Sequence, residues 1–541
     1  MVDDIGDPRF PVWSRGNVGE VFPEVVNPLT WVVGREADLG WRDAFIEFGS
    51  LAPDDFDPER RSLVAVFGGY CYLNVSCVRL FAHRTPGVKV ADIDASLFGE
   101  QEAPPWSKPS GARRMGRSAL AGRSLLRTVS AKRVPTPAQD AAAVDAWIAT
   151  LPPAADRSDE DLIAMAQTFG PRFRQLFCRH ILISFQTSVA LALLAQLAER
   201  ATGDTDIVTS LVAGLGDVES AAPSAALWKL GRMRPDDPAF DAQLADFLER
   251  FGYRGPNEWD FAAITWDANP AGALAQIEAL RRAAADHDPV AQRARLEAER
   301  IDAVARVRDA LPAPLRPQLK MAQRAGCLFA QNREMTKSTT IRAIHAVRVA
   351  MRELARRGRD RGGPDDLQQF FLLTIDEVPD YLSAPSAFSS TLAERAALRE
   401  KLMALVPPFV FDTEQPPPST WQPRDAGLAT AKVGTTLTGI GACPGVARGR
   451  ARVVLDSYDP RGLGPGDVLI APITDPSWTP LFLPAEAVVV DVGALLSHAV
   501  IVSRELGIPA VVSVTGATTT IPDGALIEVD GGAGTVKILE T

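Results

Sequence analysis

Val490-Asp491-Val492-Gly493-Ala494-Leu495-Leu496-Ser497-His498-Ala499-Val500-Ile501-Val502-Ser503-Arg504-Glu505 joins a hydrophobic run ending at Val492 to an amphipathic run beginning near His498. The first reads as a strand and the second as a helix, with a glycine-containing turn between them. Ser497 stands where an N-cap belongs, because its hydroxyl can accept one of the backbone N–H groups that a first helical turn leaves unpaired. A histidine there lies among free N–H donors at the positive end of the helix dipole, a setting that favours bound phosphate. Its imidazole is also a nitrogen nucleophile near neutral pH, since its unperturbed pKa is about 6.5. Two readings fit the spacing equally: a histidine that carries a phosphoryl group, and a capping-region histidine satisfied by hydrogen bonds.

Around this stretch the chain predicts short strands at 447–455, 467–473, 487–492, 510–514, 525–529 and 535–539, with one helix at about 499–506. That is enough for an independent α/β unit. Upstream, Pro407, Pro408, Pro416, Pro417, Pro418 and Pro423 crowd a segment without helical or strand periodicity. Proline fixes φ and removes a donor, so 407–436 reads as an extended, semi-rigid linker. Before it, apolar residues three or four apart predict helices over about 159–201, 239–251, 270–309 and 317–357. Val64–Phe67 and Tyr70–Leu73 flank Gly68-Gly69 as a hairpin, and the Pro/Gly/basic stretch 104–123 reads as an exposed loop. The fold class is therefore multidomain α+β, with a large mainly helical domain (1–406), the linker (407–436) and a small α/β domain (437–541).

The 541 residues exceed what one core usually holds, and 46% hydrophobic with 23% charged residues is an ordinary globular balance. A net charge of −10 with no long basic run argues against a nucleic-acid partner. Five scattered cysteines without a CxxC argue against a disulfide framework or zinc cluster. The acidic N-terminus lacks the apolar core of a signal peptide. The apolar run 181–198 is broken by Gln186, Thr187, Ser188 and Gln196, which suits a buried core helix better than a membrane span. A cytoplasmic protein with no membrane partner and no metal site of its own is expected.

Thr474-Asp475-Pro476-Ser477-Trp478-Thr479-Pro480-Leu481, the run from Gly493 to Glu505, and Gly507-Ile508-Pro509-Ala510-Val511-Val512 closely resemble the phosphohistidine swivelling domain of phosphoenolpyruvate-utilising enzymes. The lead-in Gly439–Gly449 fits that domain's opening, so the resemblance covers about 436–541. It implies that His498 carries a phosphoryl group, with Ser497, Gly493 and Arg504 at the phosphate. One departure is Ala494, where the family usually has a second glycine.

Four further segments resemble the substrate-binding domain of rifamycin phosphotransferases: Arg15-Gly16-Asn17-Val18-Gly19-Glu20-Val21, Asn27-Pro28-Leu29-Thr30-Trp31, Gly252-Tyr253-Arg254-Gly255-Pro256-Asn257-Glu258 and Arg333-Glu334-Met335-Thr336-Lys337. The resemblance implies that Arg333 and Lys337 belong to the active site. Their spacing puts both on one helix face, where they could act on a single anion or form a solvated basic face. Arg254 and Glu258 read as substrate contacts or as a structural ion pair. Asn17, Glu20 and Thr30 read as pocket residues or as partners in interdomain hydrogen bonds. Tyr253 replaces the family's usual histidine, and Asp376-Glu377 reads as an acidic element end rather than a metal site. His83, His180, His287 and His345 are expected to be structural.

Neither a TIM barrel nor an ATP-grasp domain is legible in 1–406, so the resemblance implies a donor from outside this chain. It is similar in domain content to the carrier and substrate subunit of split systems that phosphorylate phenolic hydroxyls such as that of 4-cresol. By that likeness, a separate ATP-grasp partner with Mg²⁺ would load His498 from ATP in a dikinase-type reaction that yields AMP and phosphate. The small domain would then swing to a hydroxyl of a small, aromatic substrate. A component of a rifamycin-type antibiotic phosphotransferase and a non-catalytic phosphocarrier or regulatory module are the alternatives, with a phosphoenolpyruvate-dependent donor as a third.

Overall fold

The computed structural model describes residues 2–98, 103–107, 113–203, 207–215, 222–234, 236–282, 288–424, 430–493 and 497–541. Helices dominate the first part, and six of them frame the account: α1 (Gly34–Phe48), α2 (Asp159–Thr202), α3 (Ala222–Arg232), α4 (Ala271–Arg282), α5 (Pro289–Ala310) and α6 (Arg316–Asp360). Ser158 caps α2 by accepting from the Asp161 N–H, and Gly203 ends it in the left-handed region at φ 71°. Helices α2 and α6 lie side by side, with Phe169, Phe173 and Leu176 of one sharing a core with Ile344, Val347 and Met351 of the other. Length and composition alone would let α2 cross a membrane. Here it packs on α6 and α1.

The apolar stripe of α6 slackens in mid-helix, where Leu328 and Met335 are only half-buried. There the buried residues turn polar: Thr336, Ser338, Thr339 and Thr340. The Thr336, Thr339 and Thr340 hydroxyls donate back to the carbonyls of Arg333, Met335 and Thr336, which removes the cost of burying them unpaired.

Two helix assignments differ from expectation. The single helix over 270–309 is two, α4 and α5, because Asp288 caps the second through the Val290 N–H and Pro289 occupies its first turn. The stretch 104–123 is not all loop: Arg113–Ser130 is helical, with Ala121 and Thr128 buried on its inner face. Gly116 and Gly122 lower the helix propensity there, and packing overrides it.

A four-stranded sheet ordered β2-β3-β1-β4 is built from β1 (Val12–Ser14), β2 (Val64–Phe67), β3 (Tyr70–Asn74) and β4 (Val410–Asp412). Gly68 and Gly69 turn the β2–β3 hairpin with φ of 55° and 81°. The presence of β4 redraws the expected linker. Its first part is stitched to the helical domain by the β4–β1 ladder, by the pairing of Leu405–Val406 with Gln422–Pro423, and by Trp421 against Tyr70. Ala431 is already buried in the core of the following domain.

That domain is one eight-stranded sheet, formed by β5 (Thr436–Thr438), β6 (Ile440–Cys443), β7 (Val446–Val453), β8 (Asp467–Ala471), β9 (Ala487–Val490), β10 (Ala510–Val512), β11 (Leu526–Asp530) and β12 (Thr535–Glu540). The order is β5-β12-β11-β7-β8-β9-β10-β6, with β7 to β10 parallel at the centre. Helix α7 (His498–Leu506) follows β9 and packs Ala499, Val500 and Val502 onto Phe482, Val488 and Val490.

The two domains are docked. Tyr458 Oη donates to Ile264 O (2.6 Å), Gln276 Nε2 to Ser477 O (2.7 Å) and Gln292 Nε2 to Leu506 O (2.7 Å). Leu483 enters the apolar cluster of Trp228, Phe247 and Trp266.

Candidate active site at the domain interface

His498 is the first residue of α7, and Ser497 caps that helix through the Val500 N–H. Both ring nitrogens are held by hydroxyls: Nε2 lies 2.9 Å from Thr479 Oγ1 and Nδ1 lies 3.1 Å from Thr474 Oγ1. The Phe482 ring meets the imidazole edge-on. Burial and then the charges of Lys337, Arg254 and Arg333 push the His498 pKa well below its ordinary value. The ring is therefore neutral, with its nucleophilic lone pair intact at neutral pH.

Those three cations come from the helical domain. Arg254 and Glu258, each 1% exposed, form an ion pair of 2.9 Å, and Lys337 Nζ reaches Glu258 from the other side at 3.3 Å. Arg254 Nη2 also donates to Ser338 Oγ (2.6 Å), while its Nε is buried with no partner among the described residues. Burial opposes the charge on Glu258, but Arg254 and Lys337 outweigh it and hold the carboxylate below its usual range. Arg333 pairs with Glu334. Asp475 of the small domain completes the junction by accepting from the Asn257 N–H (3.1 Å) and the Ser477 N–H (2.8 Å). Burial pushes its pKa up to about 6.

The structure thus brings His498, Ser497, Arg254, Glu258, Lys337 and Arg333 together. Gly493 lies beside the cap, where an added Cβ would come within 3.2 Å of Ser497 Oγ. Arg504 is not brought to the imidazole: six residues of helix is about 9 Å, and its Nε donates to Ala442 O at 2.8 Å. Asn17 is the exposed residue that precedes the short Val18–Val21 helix, and Glu20 lies within that helix. The N-terminal segment contributes differently. Asn27 and Thr30 donate to the Asp260 carboxylate and so brace the loop that carries Arg254 and Glu258.

Tyr253 lies near His345 and under the Arg254 guanidinium. Glu377 caps a short helix and pairs with Arg395, an architectural use of the Asp376-Glu377 acids. Ala494 and His287 lie outside the described residues. Sequence reasoning assigned no role to Thr474, Thr479 or Asp475. All three stand in the quoted family-like stretch, but threonine and aspartate near proline read as ordinary turn formers. Among the described residues no three His, Cys, Asp or Glu side chains converge as a metal site.

Residues 463–534 match the mobile domain of PEP-utilising enzymes, and residues 179–334 match the fourth domain of rifampicin phosphotransferases. Among curated relatives, an uncharacterised protein of Mycobacterium tuberculosis is 32% identical over 314 residues, covering 58% of this chain and 33% of that protein. The prodigiosin synthesizing transferase PigC of Serratia marcescens is 32% identical over 317 residues (56% and 34%). The rifampicin phosphotransferase of Streptomyces sviceus is 30% identical over 305 residues (54% and 34%). The aligned part spans about a third of the length of each of these relatives.

Proposed function

We propose that this chain, which carries the mobile domain of PEP-utilising enzymes and the fourth domain of rifampicin phosphotransferases, is the carrier and acceptor part of a phosphotransferase whose His498 delivers a phosphoryl group to a hydroxyl bound by the helical domain. One observation carries this reading. The neutral imidazole at the N-terminus of α7 faces Lys337, Arg254 and Arg333. Cations that disfavour a proton on His498 favour a dianionic phosphoryl group on it. The same cations would offset charge on the oxygens of a loose transition state during transfer.

In this reading Thr474 and Thr479 orient the ring, and loading requires one of their two hydrogen bonds to open. Glu258 holds Arg254 and Lys337 in a fixed fork, so little reorganisation is needed at the moment of transfer. The docked arrangement is the delivery state. Loading would use an undocked state in which His498 reaches an ATP-grasp protein that binds ATP and Mg²⁺. The acceptor is a small hydroxylated compound, with phenols such as 4-cresol as the first class to screen and rifamycin-type alcohols as the second. The similarity to rifampicin phosphotransferases supports the reaction class and leaves the acceptor to experiment.

The test separates loading from delivery. Arg333→Ala and Lys337→Ala proteins should still accept labelled phosphate at His498 but release it to acceptor at least ~100-fold more slowly, in line with loss of electrostatic stabilisation in other enzymes. Unchanged release from both variants would remove the site from consideration.

A further inference from the structure

Away from His498, three cations from separate segments converge on a cavity of about 370 Å³, within the roughly 300–1,000 Å³ of small-molecule sites. Arg300 comes from α5, Arg324 from α6 and Lys132 from the turn after the Arg113–Ser130 helix. None of the cations that act on His498 lines it. Arg324 precedes Arg333 on α6 by about 13 Å of helical rise, so the two basic clusters are separate.

Backbone carbonyls hold both guanidinium groups. Arg300 donates to Ala213 O (2.7 Å) and Gly214 O (2.8 Å), and Arg324 to Ala131 O (3.0 Å) and Ser130 O (3.3 Å). A carbonyl fixes a guanidinium without cancelling its charge. Glu297 pairs with Arg300 at 3.2 Å but is itself largely exposed. Arg324 and Lys132 have no carboxylate partner among the described residues, and Arg324 Nη1 has no hydrogen bond there. No Asp or Glu lines the cavity. Its field is therefore positive in a chain of net charge −10, and like charges gathered in a cleft favour an anion between them. Leu215 and Leu328 supply an apolar wall beside the cations.

From this pairing of fixed, uncancelled cations with an apolar wall, we infer that the cavity binds a small organic carboxylate. The carboxylate lies among Arg324, Lys132 and Arg300, and the apolar body lies against Leu215 and Leu328. The inference goes beyond the transfer reading and stands without it, because binding here needs neither His498 nor a phosphoryl donor.

4-Hydroxybenzoate and 4-cresol form a matched pair, one carrying a carboxylate where the other has a methyl group. Calorimetric titration of the full, unphosphorylated chain near neutral pH should show 4-hydroxybenzoate binding at least ~10-fold more tightly than 4-cresol, the scale of one charge-assisted hydrogen bond. Arg324→Gln and Lys132→Gln should each weaken 4-hydroxybenzoate about tenfold and leave 4-cresol unchanged. Lys132 is exposed and bonds nothing among the described residues, so Lys132→Gln remains informative if Arg324→Gln loosens the turn that Arg324 holds. Inorganic phosphate, which has no apolar body, should bind at least ~10-fold more weakly than 4-hydroxybenzoate. No binding of 4-hydroxybenzoate, equal affinity for it and 4-cresol, equal affinity for phosphate, or an affinity unmoved by either substitution would each overturn the inference. His498→Ala should bind 4-hydroxybenzoate as wild type does, so failure of the transfer reading would leave this result standing.

Discussion

At the residue scale, the buried Arg254–Glu258 pair is both the scaffold of the site and its weak point. Removing one member of such a pair strands a desolvated charge, at a cost of about 3–5 kcal/mol. Arg254→Met should therefore lower unfolding stability by that order in urea titration, and Glu258→Gln by less, because the amide can still hydrogen-bond. Glu258 has a depressed pKa, so its stabilisation is present above pH ~4.5 and fades as acid protonates it. Acid unfolding of Glu258→Gln should accordingly be less steep than that of wild type below that pH. An ion pair was one of the two readings open for Arg254 and Glu258 on their spacing alone. Lys337 as its third member was hidden, because residues 258 and 337 meet only through the fold. Asn17 was quoted for its family-like context, and its exposed position shows how little such context says about direct contact.

At the scale of elements, α7 combines a cap, a dipole and a buried face, all readable from Ser497-His498 and the apolar spacing behind them. Ser497→Ala should cost about 1 kcal/mol of stability, read as a lower midpoint in thermal unfolding. The docking surface was not readable, because it is made by Gln276 of α4 and Gln292 of α5 donating to the Ser477 and Leu506 carbonyls and by Tyr458 donating to the Ile264 carbonyl. Gly272 on α4 is the tightest point: an added Cβ would fall 1.6 Å from Tyr458 Cδ1. Gly272→Val should push the small domain away, increase the radius of gyration in solution scattering and slow delivery while sparing loading. An unchanged scattering profile would mean that the contact yields without undocking. The long helices were legible because 3.6-residue periodicity persists over many turns. The split at Asp288-Pro289 and the strand at Val410–Asp412 were missed because a cap signal and a three-residue strand are each too short to outweigh their surroundings.

At the scale of the molecule, docking and protonation are linked through His498. Its docked pKa is depressed, so a freed imidazole binds a proton below pH ~6.5 that the docked one refuses. The docked state keeps this contribution above pH 6.5 and loses it as the pH falls. Asp475 works in the opposite sense: its pKa is raised to about 6, so its contribution is present in acid and lost as the pH rises through that value. Scattering between pH 7.5 and 5.5 should therefore show less acid-induced opening in His498→Asn than in wild type, the difference being the histidine's share. The two-domain plan was visible from proline content and a change of periodicity, whereas the junction that unites the domains is a product of tertiary structure.

The most direct measurement asks whether His498 carries phosphate. The purified chain is incubated with Mg²⁺ and ATP labelled in its β-phosphate, with and without an ATP-grasp protein of the dikinase type, and peptides are mapped for acid-labile label. The account predicts label on the peptide containing His498 in the presence of that protein, lost in His498→Ala and discharged by added phenol. Label on another residue, or equal label in His498→Ala, would contradict it.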